Sequence, residues 1–165
     1  MRMPKKIISW EEYFMGIALL SSLRSKDPNT QVGACIVNKD KKVIGIGYNG
    51  FPNGIHDEKL PWGRENEDIN ETKYPYVVHA ELNAILNSAR IPKKCKIYTT
   101  CFPCNECTKA IIQSGINELI YLSDIHSGSK STKASKKLLD LAKIPYRKFK
   151  AEKHSEISLF FKTEN

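Results

Sequence analysis

The residues best suited to chemistry lie in two short stretches, His79-Ala80-Glu81 and Pro103-Cys104-Asn105-Glu106-Cys107. One imidazole and two thiolates supply three ligands for a tetrahedral zinc ion. Three protein ligands leave one position open, as a catalytic zinc requires and a structural zinc does not. Glu81 lies two residues past the histidine, is not needed as a ligand, and is free to carry protons. Each half of the pattern is weak alone, because C-x-x-C also marks redox pairs and structural zinc. Here Pro103 precedes the cysteine pair and no Trp-Cys-Gly context surrounds it, which argues against a thioredoxin-type site. A structural zinc with an unidentified fourth ligand is the plain alternative. Cys101 is close enough either to complete such a set or to stand behind the three ligands. Glu81 has a plain alternative too, as a carboxylate serving the positive end of a helix.

In this order, H-x-E followed by P-C-x-x-C is the pattern of zinc nucleobase deaminases. The chemistry explains the residue types. Helix N-termini favour thiolate over thiol, so cysteines that open a helix bind metal as anions. Cys104 and Cys107, one helical turn apart, can face one ion. A bound zinc lowers the pKa of its water to roughly 7, giving a nucleophile for an electrophilic ring carbon. One carboxylate can then take the water's proton, give it to the ring nitrogen, and help protonate the leaving amine. That is the role expected of Glu81.

The elements that must position these groups can be read along the chain. Residues 1–8 form a loose basic lead-in. Ser9-Trp10-Glu11-Glu12 has the form of a capping box, and Trp10, Tyr13, Phe14, Ile17, Leu20 and Leu23 recur at helical spacing to about Arg24. Two apolar runs, 32–37 and 43–48, flank the polar stretch 38–42 and predict a β-hairpin. Residues 51–78 show no sustained period. They carry Trp62, Tyr74 and Tyr76 and several prolines, so an ordered excursion over the active site is expected rather than a flexible linker. His79 opens a helix to about Ala89, and Cys104 opens another that ends at Gly115. Strands are expected at 95–100, 118–123 and 146–150. A helix is expected at 133–143, with Leu138, Leu139, Leu141 and Ala142 as its apolar side. Ile157 to Phe161 is apolar but of uncertain state. Strands alternating with helices predict an α/β fold, a sheet between helices with a parallel section.

The chain has 165 residues, a net charge of +8 and five cysteines. That length fits one domain with a sizeable core. The sequence holds no apolar run of membrane-span length and no signal-like core, so a soluble, cytoplasmic protein without membrane attachment is expected. The odd number of cysteines suits a reducing compartment. Cys35 and Cys95 fall in apolar runs and read as core residues. The positive charge suits an anionic partner. Much of the excess lies between Lys130 and Lys153, where a solvated helix face is the simpler reading than a nucleic-acid groove.

Beyond the zinc motif, the chain resembles the deoxycytidylate (dCMP) deaminases of animals and some viruses. The resemblance extends from Trp10-Glu11-Glu12-Tyr13-Phe14-Met15 to Tyr146-Arg147-Lys148-Phe149. It is carried by Arg24-Ser25-Lys26-Asp27-Pro28, Gln31-Val32-Gly33-Ala34-Cys35-Ile36-Val37-Asn38, Gly45-Ile46-Gly47-Tyr48-Asn49-Gly50, Leu60-Pro61-Trp62 and the flanks of the metal motif. It implies a cytidine-deaminase-like three-layer α/β/α fold with a five-stranded mixed sheet. It implies conversion of dCMP to dUMP and ammonia, feeding thymidylate synthesis, with His79, Cys104 and Cys107 on one zinc per chain and Glu81 as proton shuttle. It also implies a homohexamer, activated by dCTP and inhibited by dTTP, often with Mg²⁺ on the effector phosphates; dCTP is a further candidate substrate. Residues 24–26 (Arg24, Ser25, Lys26) are candidates for the substrate phosphate, against a simple solvated helix end. Ala80 is placed against the substrate. Asn49 matches a sugar contact in related deaminases, against a left-handed Asn-Gly turn residue. Gly50, His56 and Trp62 are effector candidates, although His56 alone reads as an exposed loop residue. Gly63 stands where a basic residue is expected after the tryptophan, and Cys101 replaces an aliphatic one. No Cys/His cluster for a second, structural zinc is evident. Two other readings stay open: a deaminase of tRNA or single-stranded DNA, which the basic charge fits although no separate nucleic-acid module is evident, and a non-catalytic zinc nucleotide sensor, which Glu81 argues against.

Overall fold

A computed structural model describes residues 7–154 and 156–159. The lead-in expectation for residues 1–6 and that for residues 160 and 161 lie outside the described residues. Five strands, β1 (Gly33–Val37), β2 (Val43–Tyr48), β3 (Lys96–Cys101), β4 (Glu118–Ser123) and β5 (Tyr146–Lys148), form one sheet in the order β2-β1-β3-β4-β5. β1 is antiparallel to both neighbours, whereas β3–β4 and β4–β5 are parallel. The parallel pairs follow from their connections. α3 (Asn105–Gln113) crosses from β3 to β4, and α4 (Lys130–Leu141) crosses from β4 to β5. α1 (Trp10–Ser22) packs one face of the sheet through Phe14, Met15 and Ala18 against Cys35, Tyr98 and Ile120. α2 (Ala80–Leu86), α3 and α4 cover the other face, where Ala80, Ala84, Ile111 and Leu139 meet Ala34, Ile36, Ile97 and Leu119. This is the expected three-layer α/β/α arrangement with a five-stranded mixed sheet. No helix among the described residues is long and apolar enough to cross a membrane.

The capping box forms: the Glu12 backbone N–H donates to Ser9 Oγ at 3.1 Å, and the Ser9 N–H donates to Glu12 at 2.6 Å. The buried face of α1 is not the set of apolar residues whose spacing marks the helix. Trp10, Tyr13, Leu20 and Leu23 are exposed, while Glu12, Ser21 and Ser22 are buried beside Phe14, Met15 and Ala18. The cause is close approach to β1, where a Cβ on Gly33 would stand 1.9 Å from the Ala18 carbonyl oxygen. Only small residues fit along that line. α1 also stops at Ser22, short of Arg24.

α4 begins earlier than expected, at Lys130, because Ser129 caps it by accepting the Thr132 N–H at 3.0 Å. Of its expected apolar side only Leu139 is buried; Thr132 and Ser135 complete the inner face and Leu141 is exposed. α2 ends at Leu86 instead of Ala89, and β5 at Lys148 instead of Lys150. Residues 156–159 form no strand. Cys35 and Cys95 are buried core residues.

Residues 51–78 are ordered without long elements. Two single 3₁₀ turns punctuate them, at Asp57–Lys59 and Ile69–Glu71. The return limb is tied down where Lys73 N–H donates to the Gly63 carbonyl and where Gly50 and Val78 exchange backbone hydrogen bonds of 3.1 and 2.8 Å. The second tie delivers the chain to His79.

Candidate active site

Three helix-related features bring the candidate metal ligands together. His79 is the N-cap of α2 and Cys104 the N-cap of α3, both in extended backbone conformation, and Cys107 lies within the first turn of α3. The Cys107 N–H points at Cys104 Sγ at 3.5 Å, so the positive end of α3 faces that sulfur. The loop before α3 is braced twice: Phe102 N–H donates to the Ser123 carbonyl at 2.8 Å, and Ser135 Oγ donates to the Pro103 carbonyl at 3.0 Å.

α2 is held against β2. Asn83 and Asn87 donate their side-chain amides to the Tyr48 and Ile46 carbonyls at 2.8 and 3.2 Å. Helix and strand approach so closely that a Cβ on Gly47 would lie 2.2 Å from the Ala80 carbonyl oxygen. The Gly45-Ile46-Gly47 pattern inside a strand is thereby explained.

His79 Nδ1 stands 3.4 Å from both Cys104 Sγ and Cys107 Sγ, and the three ligand atoms lie within 4.8 Å of one another. Ligands of a tetrahedral zinc at its normal bond lengths are about 3.5 Å apart, so this donor set fits zinc. Cys101 does not join the group. Hydrogen bonding from Cys107, then from His79, holds the Cys104 thiol down to about 4, and the Cys104 sulfur helps raise the pKa of His79. Cys107 shifts upward because its proton is shared with Cys104 and it is buried. One thiolate beside one thiol is the arrangement in which a divalent cation readily replaces the remaining proton.

Glu81 is buried at 3 % exposure. Burial pushes its carboxyl above the usual carboxylate range, with the His79 charge opposing. Thr99 Oγ1 lies 3.4 Å from Glu81 Oε1 and donates to the Cys101 carbonyl at 3.0 Å. A buried carboxyl with a raised pKa is suited to hand protons on near neutrality.

A cleft of about 370 Å³ opens onto these groups. His79, Ala80, Glu81, Cys104 and Asn49 all line it. The residues at 24–26 do not. Ser25 is buried and its Oγ accepts the Asp27 N–H, Lys26 is exposed and pairs with Asp57, and Arg24 is exposed. Asn49 is no left-handed turn residue. It is buried, with Oδ1 accepting the Val32 N–H at 2.8 Å and Nδ2 donating to Asp27 and to the Thr30 carbonyl. Gly50 is in the bridge to Val78, Trp62 packs on Phe51 with ring centroids 4.1 Å apart, and His56 is exposed before the first 3₁₀ turn.

Sequence reasoning missed several cleft residues: Asp27, Thr30, Arg64, Lys73, Phe102 and His126. Asp27 had a signal in its Asp-Pro-Asn turn, and Phe102 in lying between β3 and the cysteine pair. Arg64 and Lys73 lie in the aperiodic excursion, where no spacing assigns a face.

The cytidine and deoxycytidylate deaminase zinc-binding region matches residues 8–123. The chain belongs to the cytidine and deoxycytidylate deaminase family. Within this family it is 54 % identical over 160 residues to deoxycytidylate deaminase of Mus musculus, covering 96 % of this chain and 89 % of the mouse protein. It is 52 % identical over 159 residues to the Homo sapiens deoxycytidylate deaminase, with the same coverage. The dCMP deaminase of cyanophage S-TIM5, solved in complex with dCMP and dUMP, superposes with a TM-score of 0.68 at 26 % identity, over 90 % of this chain and 100 % of that one. The chain is thus a deaminase of this family, and the candidate donors His79, Cys104 and Cys107 lie within the matched zinc-binding region.

Proposed function

We propose that this deaminase hydrolyses dCMP to dUMP and ammonia. The observation that carries the reading is the open His79–Cys104–Cys107 set with buried Glu81 beside it, in a chain over half identical to deoxycytidylate deaminases. His79, Cys104 and Cys107 would hold zinc, which would supply the Lewis acidity that makes a water nucleophilic near neutral pH. Glu81 takes one proton from the attacking water and delivers it to the ring nitrogen beside the attacked carbon, then takes the remaining proton of the added hydroxyl and gives it to the departing amine as the carbonyl forms. Water adds to the ring and ammonia leaves, so atoms and charge balance. Asn49 contacts the sugar and Ala80 the base edge of the cleft. Arg64, exposed at the mouth and placed by its 2.5 Å hydrogen bond to Thr30, takes the phosphate in place of the residues at 24–26. The activity supplies dUMP for thymidylate synthesis in the cytoplasm. The assembly is a homohexamer, with dCTP as activator and dTTP as inhibitor near Gly50 and Trp62, and Mg²⁺ on the effector phosphates.

The test is ammonia release from dCMP, dCTP, deoxycytidine and CMP, with and without effector. dCMP is expected to be turned over with the highest kcat/KM. Absence of any preference for phosphorylated deoxy compounds would overturn the substrate assignment.

A further inference from the structure

The cleft occupies one end of the sheet, where Cys101 pairs with Ser123, and the opposite end carries charge with no part in the chemistry above. Register defines that end. Val37 pairs with Val43 and with Lys96, so the 38–42 turn and the 87–95 connection into β3 lie at the same edge. The turn holds Lys39, Lys41 and Lys42 against one carboxylate, Asp40, and the connection holds Arg90, Lys93 and Lys94 against none. All six cations are exposed, and among the described residues no carboxylate forms an ion pair with any of them. Beside the cleft the balance is reversed, with six carboxylates and two cations over residues 57–71. A polyanion is therefore steered to the end away from the metal ligands.

The backbone marks the same end independently. Among the described residues, the non-glycine positions with positive φ are Lys41 at 60°, Lys94 at 58° and Lys143 at 55°, and all three lie there. This left-handed region crowds a Cβ, and glycine or asparagine fits it better. The helix dipole accounts for a cation at Lys143, just after the C-cap of α4, but neither Lys41 nor Lys94 ends a helix. Lysine held at these two strained positions points to use of the side chain. Aromatic rings adjoin them. Trp10 is 52 % exposed with Lys41 Nζ 4.9 Å from its ring centroid, and Tyr13, 43 % exposed, meets Trp10 edge-on. Cations interleaved with exposed rings suit a single strand, whose phosphates meet the charges while its bases stack on the rings. We propose that the end of the sheet opposite the cleft binds single-stranded nucleic acid, with Lys41 and Lys94 on the phosphates and Trp10 and Tyr13 against the bases. This surface is separate from the deaminase cleft and stands whatever the substrate of that cleft.

The test is fluorescence anisotropy of a labelled oligothymidylate of about twenty nucleotides, which is longer than one such site and has no cytosine to deaminate. Wild type is expected to bind with a Kd of about 1–100 µM at physiological salt, weakening steeply as salt rises. Lys41→Gly with Lys94→Gly removes two charges and suits both left-handed positions, so the fold is kept. That pair is expected to lose about tenfold in affinity and to lower the slope of log affinity against log salt by about 1.4, with dCMP turnover unchanged. Trp10→Ala is expected to lose about fivefold or more at an unchanged salt slope. Lys130→Ala with Lys133→Ala, on the exposed face of α4, is expected to bind as wild type. Absence of binding at low salt, or equal losses in the two lysine pairs, would overturn the proposal. Binding to phosphatidylserine vesicles but not to the oligonucleotide would overturn it in favour of a lipid surface. The glycine pair decides should Trp10→Ala not fold.

Discussion

At the scale of single residues, the chemistry depends on which sulfurs reach the metal. Three cysteines fall within seven positions, and spacing alone left Cys101 open as a fourth ligand. The backbone resolves this. Cys101 ends β3, paired with Ser123, whereas Cys104 and Cys107 open α3. Burial, with the Glu81 and Asp124 charges adding to it, pushes the Cys101 thiol up to about 11, so it stands neutral in the cleft wall. Cys101→Ser is therefore expected to keep one zinc per chain, measured by metal analysis on the purified protein. Loss of half or more of the metal would mean that the thiol is a ligand. The proximity of His79, Glu81, Cys104 and Cys107 was legible because it follows from short fixed spacings at two helix starts. That of Asp27 and Lys73 was not, because 46 residues separate them and only the folded excursion makes them neighbours.

Among elements, α2 carries His79 and Glu81, and its placement decides whether they meet the cysteines. Two apolar runs around a polar stretch predicted β1 and β2, and helix–strand alternation predicted the parallel half of the sheet. The apolar spacing predicted α1 as a helix but did not mark its buried face, because the packing selected small residues against Gly33. The same close-approach rule governs α2 on β2. Gly47→Ala puts a methyl within 2.2 Å of the Ala80 carbonyl oxygen and 2.3 Å of the Ala84 nitrogen, both backbone atoms that cannot swing aside. The expected result is a loss of about 2 kcal/mol of stability, read from denaturant unfolding, together with lower zinc occupancy as α2 shifts. An unaltered midpoint and metal content would contradict the packing argument.

Across the whole molecule, Glu12 joins the two ends of the described chain. Its Oε1 accepts three consecutive N–H groups, from Glu152, Lys153 and His154, at 3.0, 2.6 and 2.8 Å, while the same side chain completes the cap of α1. The capping box was legible in the sequence; this second role, 140 residues away, was not. Burial raises the carboxyl's pKa, but the N–H groups outweigh it and hold Glu12 down to about 2, against an ordinary value of 4.5. A carboxylate depressed on folding contributes stability above its unfolded pKa, and that contribution is lost as pH falls toward the folded value. The stability gap between wild type and Glu12→Gln should therefore be full near pH 6 and shrink between about pH 4.5 and 2. Urea midpoints at a series of pH values would show it, and a constant gap would refute the assignment.

The reading of the molecule as a hydrolytic deaminase turns on Glu81 acting beside an incompletely ligated zinc. Zinc content and dUMP formation should be measured together on Glu81→Gln. Metal near one equivalent per chain with turnover lowered about a thousandfold or more is the expected result. Turnover near wild type, or loss of the zinc with the carboxylate, would contradict it.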